Sequence, residues 1–136
     1  SKDQFHHAAK SFHKLLPPRG LFLGDVDNRA FLEVEGRLPD DYFLSSANKD
    51  LGWQRFSKAT MGEFGIYHMS DRWIKDDEIK IAEKWDLQTW YKDELEDELY
   101  RAGFSVIEWH DRQFSSTAKT AIAEQDSLLF VAQKND

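Results

Sequence analysis

At Gly103 the chain changes its period, and that change limits the folds open to it. Leu95, Leu99 and Ala102 recur at helical spacing, Asp93 and Glu94 stand where a helix N-terminus favours negative charge, and Gly103 follows as a C-terminal cap. Immediately afterwards Phe104, Val106, Ile107 and Trp109 form the apolar, β-branched and aromatic run of a strand. Residues 127–133, SLLFVAQ, form a second run, almost continuously apolar, as expected of a strand buried on both faces. Helix, tight glycine turn, strand and closing strand together predict an α/β sheet.

The N-terminal part reads the same way. Over residues 3–16, Phe5, Ala8, Ala9, Phe12, Leu15 and Leu16 lie on one helical stripe, Asp3 stands near the N-terminus, and Pro17-Pro18 ends the run. After the turn PPRG, residues 21–26 (LFLGDV) read as a short strand. Asp27 and Asn28 are then the polar loop at its carboxyl end, where open α/β sheets place their ligands; the same two residues are also ordinary turn formers. Residues 28 to about 76 are less regular, with Gly36, Pro39, Gly52, Gly62 and Gly65 among Phe31, Tyr42, Phe43, Trp53, Phe56, Phe64, Tyr67 and Trp73. Such a stretch is too apolar for a linker and too interrupted for one long helix, so it is expected to fold over something. Its end predicts a β-hairpin with arms 65–74 and 78–87. Ile79, Ile81 and Trp85 share one parity and Lys80 and Lys84 the other, with Ala82 blurring the pattern.

Charge and composition exclude several functions. A net charge of -7 with no basic stripe argues against nucleic acid as a partner. Without cysteine there is no disulfide framework, thiolate nucleophile or Cys-based zinc site, which suits the cytoplasm. No run approaches 18 apolar residues and the N-terminus lacks a signal-peptide core, so a soluble chain with no membrane partner is expected. At 136 residues the chain is one domain at most.

Few side chains offer chemistry. His68 and Asp71 would serve as base and orienter beside a substrate nucleophile, although three residues apart on a strand they point to opposite faces. His110 and Asp111 follow a predicted strand and read first as its solvated end. His6 and His13 share a helical face with His7 nearby, but no carboxylate completes a ligand set, so no metal is expected. Asp93, Glu94, Glu96, Asp97 and Glu98 read as a solvated helix face.

The order of elements resembles the C-terminal half of a class I S-adenosylmethionine-dependent methyltransferase. Pro17-Pro18-Arg19-Gly20 stands where that family has a Lys-Pro-Gly-Gly-like turn before its fifth strand. Tyr91, Glu94, Leu95, Leu99, Ala102, Gly103 and Phe104 match its Tyr-Thr-x-x-Glu-Leu-x-x-x-Leu-x-x-Ala-Gly-Phe pattern, with Lys92 in place of Thr. The resemblance implies a Rossmann-like sheet represented by strands five to seven, the last antiparallel, with an inserted β-hairpin. Residues 1–136 would be a single partial domain, and 28–88 the aromatic substrate cover. It further implies a methyl transfer to a small, partly apolar acceptor, with Asp27, Asn28, Trp53, Tyr67, Trp73, Trp90 and Tyr91 at the substrate; the plainer reading of the aromatics, Phe56 included, is core packing. The glycine-rich loop that holds the cofactor in the family is absent from the sequence. The complete enzyme would therefore use S-adenosylmethionine while this chain alone would not bind it.

With the first four strands missing by resemblance, a missing N-terminal half or self-association is expected at an open sheet edge. The chain would be a truncated polypeptide, a proteolytic remnant or one subunit of a split enzyme. Two other readings remain open: a non-catalytic scaffolding or regulatory subunit, and a small α+β domain that binds an apolar ligand.

Overall fold

The structure is a computed structural model that describes residues 1–34, 38, 41–110 and 126–136. Its elements are α1 (Lys2–Leu15), β1 (Leu21–Asp27), the single turn α2 (Arg29–Leu32), β2 (Phe43–Asn48), β3 (Trp53–Met61), β4 (Ile66–Lys75), β5 (Glu78–Gln88), α3 (Lys92–Arg101), β6 (Phe104–His110) and β7 (Ser127–Lys134), with a 3-10 turn at Glu63–Gly65. They form two compact units, Ser1–Leu32 with Gln88–Asp136, and Glu33–Leu87. Among the described residues no helix is long and apolar enough to cross a membrane.

The first unit carries a three-stranded sheet in the order β1-β7-β6. β7 is antiparallel to both neighbours, so β1 and β6 run parallel. Their even-numbered residues make the core: Phe22 and Val26 from β1, Phe104 from β6, and Leu128, Phe130 and Ala132 from β7 meet Ala9 of α1 and Leu95, Leu99 and Ala102 around α3. Burying a side chain the size of Leu95, Leu99 or Phe104 contributes about 1.5–3 kcal/mol each. Gly24 faces Phe130 across the ladder, and a Cβ there would come within 2.8 Å of the ring, so a side chain at this position would have to displace it. The expectation that the last strand is buried on both faces is corrected: Leu128, Phe130 and Ala132 are buried, whereas Leu129 and Val131 between them are half-buried, because both helices pack on one face.

Helix ends follow local chemistry. Ser1, not Asp3, caps α1: the Gln4 N–H donates to Ser1 Oγ (3.4 Å) while the terminal ammonium donates to Gln4 Oε1 (2.8 Å). Leu16 is already extended (ψ 143°), as a residue before proline must be. α3 starts without a side-chain cap at Tyr91 and stops at Gly103, whose φ of 97° suits glycine. The His13 ring lies against that glycine, 2.6 Å from where a Cβ would sit.

The second unit is a four-stranded sheet in the order β2-β3-β4-β5. β2 pairs antiparallel with β3 through a register shift between Leu44 and Ser46, and β3 pairs antiparallel with β4 from Trp53↔Lys75 to Met61↔Tyr67. β4 and β5 are joined by Asp76 and Asp77, both at positive φ (53° and 59°), the conformation that a two-residue turn between twisted strands demands. Two strands, β2 and β3, lie in the stretch that the sequence reading left irregular. The β3 face that carries Ser57 and Ala59 is buried around a carboxylate, Asp71, so polar residues stand where apolar alternation would have marked a strand. Gly36 and Pro39 lie outside the described residues.

Candidate functional site

At the carboxyl end of β1 the backbone is locked from two sides. The Trp90 N–H donates to the Asp27 carbonyl (3.0 Å), the Arg29 N–H donates to the Trp90 carbonyl (2.9 Å), and the Asn28 N–H donates to the Asp126 carbonyl (3.1 Å). Asn28 is buried, and its Oδ1 accepts from the Ala30 N–H (3.1 Å), starting the α2 turn. Residues 27, 28 and 90 are thus brought together by a parallel bridge. Asp27 is half-buried at this end, and its pKa is raised by burial first and then by the charges of Asp25 and Asp126. Such a carboxylate accepts a proton more readily than an exposed one.

The two aromatic residues expected here differ. Tyr91 is half-buried with the Arg29 guanidinium over its ring (4.8 Å). Trp90 is corrected from substrate lining to core: it is 2% exposed, its ring centroid 4.9 Å from Phe5, with the Lys2 ammonium 5.4 Å away on its face. Its contribution at the strand end is made by its main chain.

His68 and Asp71 do not form the expected pair. His68 Nδ1 lies 2.7 Å from Asp86 Oδ1, in a cleft of about 350 Å³ lined also by Tyr42, Lys58, Thr60, Ser70 and Lys84. Tyr42 Oη is 2.7 Å from Ser70 Oγ, and Arg72 stacks on the Tyr42 ring at 3.9 Å. Asp71 is 1% exposed and serves structure: it accepts from Arg55 Nη2 (2.5 Å), Ser57 Oγ (2.6 Å) and Trp85 Nε1 (3.1 Å). Burial alone would raise its pKa; the hydrogen bonds from Arg55, Ser57 and Trp85 outweigh that and hold it below the ordinary aspartate value. This carboxylate is buried among those three donors, and His68 lies against Asp86 instead.

Trp53 and Trp73 line a different cleft, of about 360 Å³, with Asn48, Leu51 and Ile81. Tyr67 sits half-buried at the other end of the β3–β4 ladder, opposite Met61, and Phe56 is half-buried opposite Arg72. Of the remaining candidates, His6 Nδ1 lies 2.5 Å from Glu98 Oε1, His7 Nδ1 is 2.7 Å from the Asp3 carbonyl, and His13 packs edge-on to Phe104. Burial, then Lys134 and Lys10, lower the His13 pKa. Among the described residues no three potential ligands gather as a metal site requires. Glu98 departs from the solvated acidic face: it is buried between His6 and Arg101, bonded to both. His110 Nε2 lies 2.9 Å from Glu108 Oε2, and Asp111 lies outside the described residues. Asp86, Tyr42, Ser70 and Asn48 were missed by sequence reasoning. For Asp86 a signal existed, since two arms about a turn at 76–77 bring residue 68 near 85 and 86.

An antiparallel strand between two parallel ones, with helices on the core face, defines the class. The chain has the fold of about half of an S-adenosylmethionine-dependent methyltransferase. No family model matches the sequence, and no curated protein matches it. Among solved structures it is similar to the CcbJ methyltransferase from Streptomyces caelestis (TM-score 0.79, 14% identity, all of this chain against 52% of that one). It is similar also to an S-adenosylmethionine-dependent methyltransferase from Clostridium acetobutylicum (TM-score 0.76, 12% identity, 100% and 53%) and to the sugar N-methyltransferase KedS8 from a Streptoalloteichus species (TM-score 0.64, 13% identity, 100% and 51%). The chain therefore spans about half the length of these enzymes, as the resemblance to a C-terminal half implies.

The β1–α2 junction is not a glycine-rich cradle. β1 runs into α2 through Asp27-Asn28-Arg29, a junction without glycine, with Asn28 Oδ1 capping the helix start in place of a bare backbone cradle.

Proposed function

We propose that this chain is the substrate-facing half of an S-adenosylmethionine-dependent methyltransferase for small-molecule acceptors, with β1, β6 and β7 in the places of strands five, six and seven. The observation that carries this reading is the β1-β7-β6 order with its antiparallel middle strand, in a chain matched over its whole length by half of such enzymes. The cofactor-binding part belongs to the remainder of the enzyme, either an N-terminal half or a separate chain. Asp27 and Tyr91 stand at the acceptor with the buried Asn28 holding the turn behind them, and the Glu33–Leu87 unit supplies the inserted hairpin and substrate cover. An amine acceptor is favoured. One similar structure is a sugar N-methyltransferase, and the carboxylates of Asp25, Asp27 and Asp126 make the strand end attractive to an ammonium and Asp27 ready to take its proton.

The test uses labelled S-adenosylmethionine with this chain alone and with a polypeptide that adds the glycine-rich half. The chain alone should show no saturable binding; the completed enzyme should bind the cofactor and methylate small amines, and Asp27→Asn should lower kcat/KM about 10²-fold. Saturable binding by the isolated chain, or no methyl transfer by the completed enzyme, would overturn the reading.

A further inference from the structure

The cleft lined by Trp53 and Trp73 is built from residues of the Glu33–Leu87 unit alone. Its walls are two indoles with Leu51 and Ile81, and large apolar side chains left beside water in a concave site mark a place where a ligand is bound. The walls are also held before any ligand arrives. The Lys75 ammonium lies over the Trp53 ring (5.6 Å) and the Arg55 guanidinium over the Trp73 ring (5.4 Å), and neither cation lines the cleft. Arg55 is itself fixed by the buried Asp71, which Ser57 and Trp85 hold in turn. Rigid aromatic walls lose little entropy on binding, which is what separates a binding surface from loosely packed sheet.

The rim supplies direction. Asn48 Oδ1 accepts from the Leu51 N–H (3.0 Å). A backbone N–H only donates, so that bond assigns the amide: the oxygen faces Leu51, and the Nδ2 hydrogens, which have no partner among the described residues, are left to donate. Asn48 thus offers a hydrogen bond at the edge of an aromatic cleft. We infer that the Asn48, Leu51, Trp53, Trp73 and Ile81 cleft binds a flat, neutral aromatic ring that carries an oxygen acceptor at its edge. Ring faces pack on the indoles and the oxygen accepts from Asn48 Nδ2. The cleft lies in the unit that the methyltransferase reading takes as substrate cover, but its test does not depend on that reading, since every residue it uses lies in the Glu33–Leu87 unit and no cofactor enters it.

The probe is 2-acetylnaphthalene, flat, neutral and bearing one carbonyl, titrated into the 136-residue chain without S-adenosylmethionine and followed by indole Nε1 NMR shifts. Saturable binding should move the Trp53 and Trp73 signals. Trp73→Ala should weaken it at least about tenfold. Leu51→Ala, at a position 61% exposed and therefore without consequence for the fold, should weaken it severalfold and gives a readout if the tryptophan variant is unstable. Asn48→Ala should weaken the ketone about three- to tenfold and leave naphthalene, which lacks the oxygen, unchanged. Failure of the probe to saturate, shifts confined to other tryptophans, equal binding of the saturated analogue 2-acetyldecalin, or an equal Asn48→Ala effect on ketone and naphthalene would each overturn the assignment.

Discussion

Asp71 shows how much one residue decides in this chain. Removing its carboxylate by Asp71→Ala strands Arg55, whose side chain is 29% exposed, beside a buried void. The expected loss is about 3 kcal/mol, the low end for a broken buried pair because Arg55 keeps some water. Urea denaturation measures it, and a loss below about 1 kcal/mol would mean that the Arg55–Asp71 bond adds little. The sign with pH follows from the lowered pKa. The stabilisation is fully present above the ordinary aspartate value of about 3.9 and disappears as pH falls through the lower folded value, so Asp71→Asn should flatten the acid limb of stability. Asp27 behaves oppositely. Its raised pKa means that stability falls as pH rises from about 3.9 through the raised value, so Asp27→Asn should be more stable than the parent at neutral pH, with the gap closing below about pH 4. A gap that widens in acid would contradict the assigned environment. Neither behaviour was legible in the sequence, where Asp71 read as partner to His68 and Asp27 as a ligand contact or turn residue at a strand end, because groups distant in sequence help decide both.

Among elements, the α3–β6 junction was the most legible and is the most exposed to a single change. Gly103→Ala places a Cβ on a backbone with φ 97° and into the His13 ring. The backbone share alone is about 1–2 kcal/mol. Thermal unfolding of Gly103→Ala should show that loss with a further steric share, and a His13→Ala background should recover only the steric part; full recovery would mean that backbone strain is negligible. The α1 and β1 spans were also readable, since cap, stripe and proline stop are local signals. β2 and β3 were not: their alternation is masked by Ser57 and by the buried ion pair of Arg55 and Asp71, whose cost vanishes only when the partners meet across the ladder.

For the whole molecule, the surface of the first unit bears on its proposed place in a larger enzyme. β1 is at the edge of its sheet, and Leu21, Leu23 (63% exposed) and Ile107 are exposed apolar residues on the first unit's strands. Expressed by itself, the chain is expected to self-associate through this face and edge. Leu23→Lys should lower the average mass in light scattering toward that of the monomer while changing stability by no more than about 0.5 kcal/mol. A parent chain that is monomeric throughout would sink the expectation.

The sequence by itself determined the elements whose signals are local: the helices about 3–16 and 93–102, the glycine turn at 103, and the apolar runs that become β1, β6 and β7. These depend on dihedral preferences and on periodicity along a few turns of chain. Tertiary structure alone decided that Asp71 is buried against Arg55, that Trp90 is core, and that Asn48 meets Trp53 and Trp73 at one cleft. Each of these is set by strand register and by which sheet face is covered. Register depends on the sum of many cross-strand contacts, and no single stretch of chain contains them.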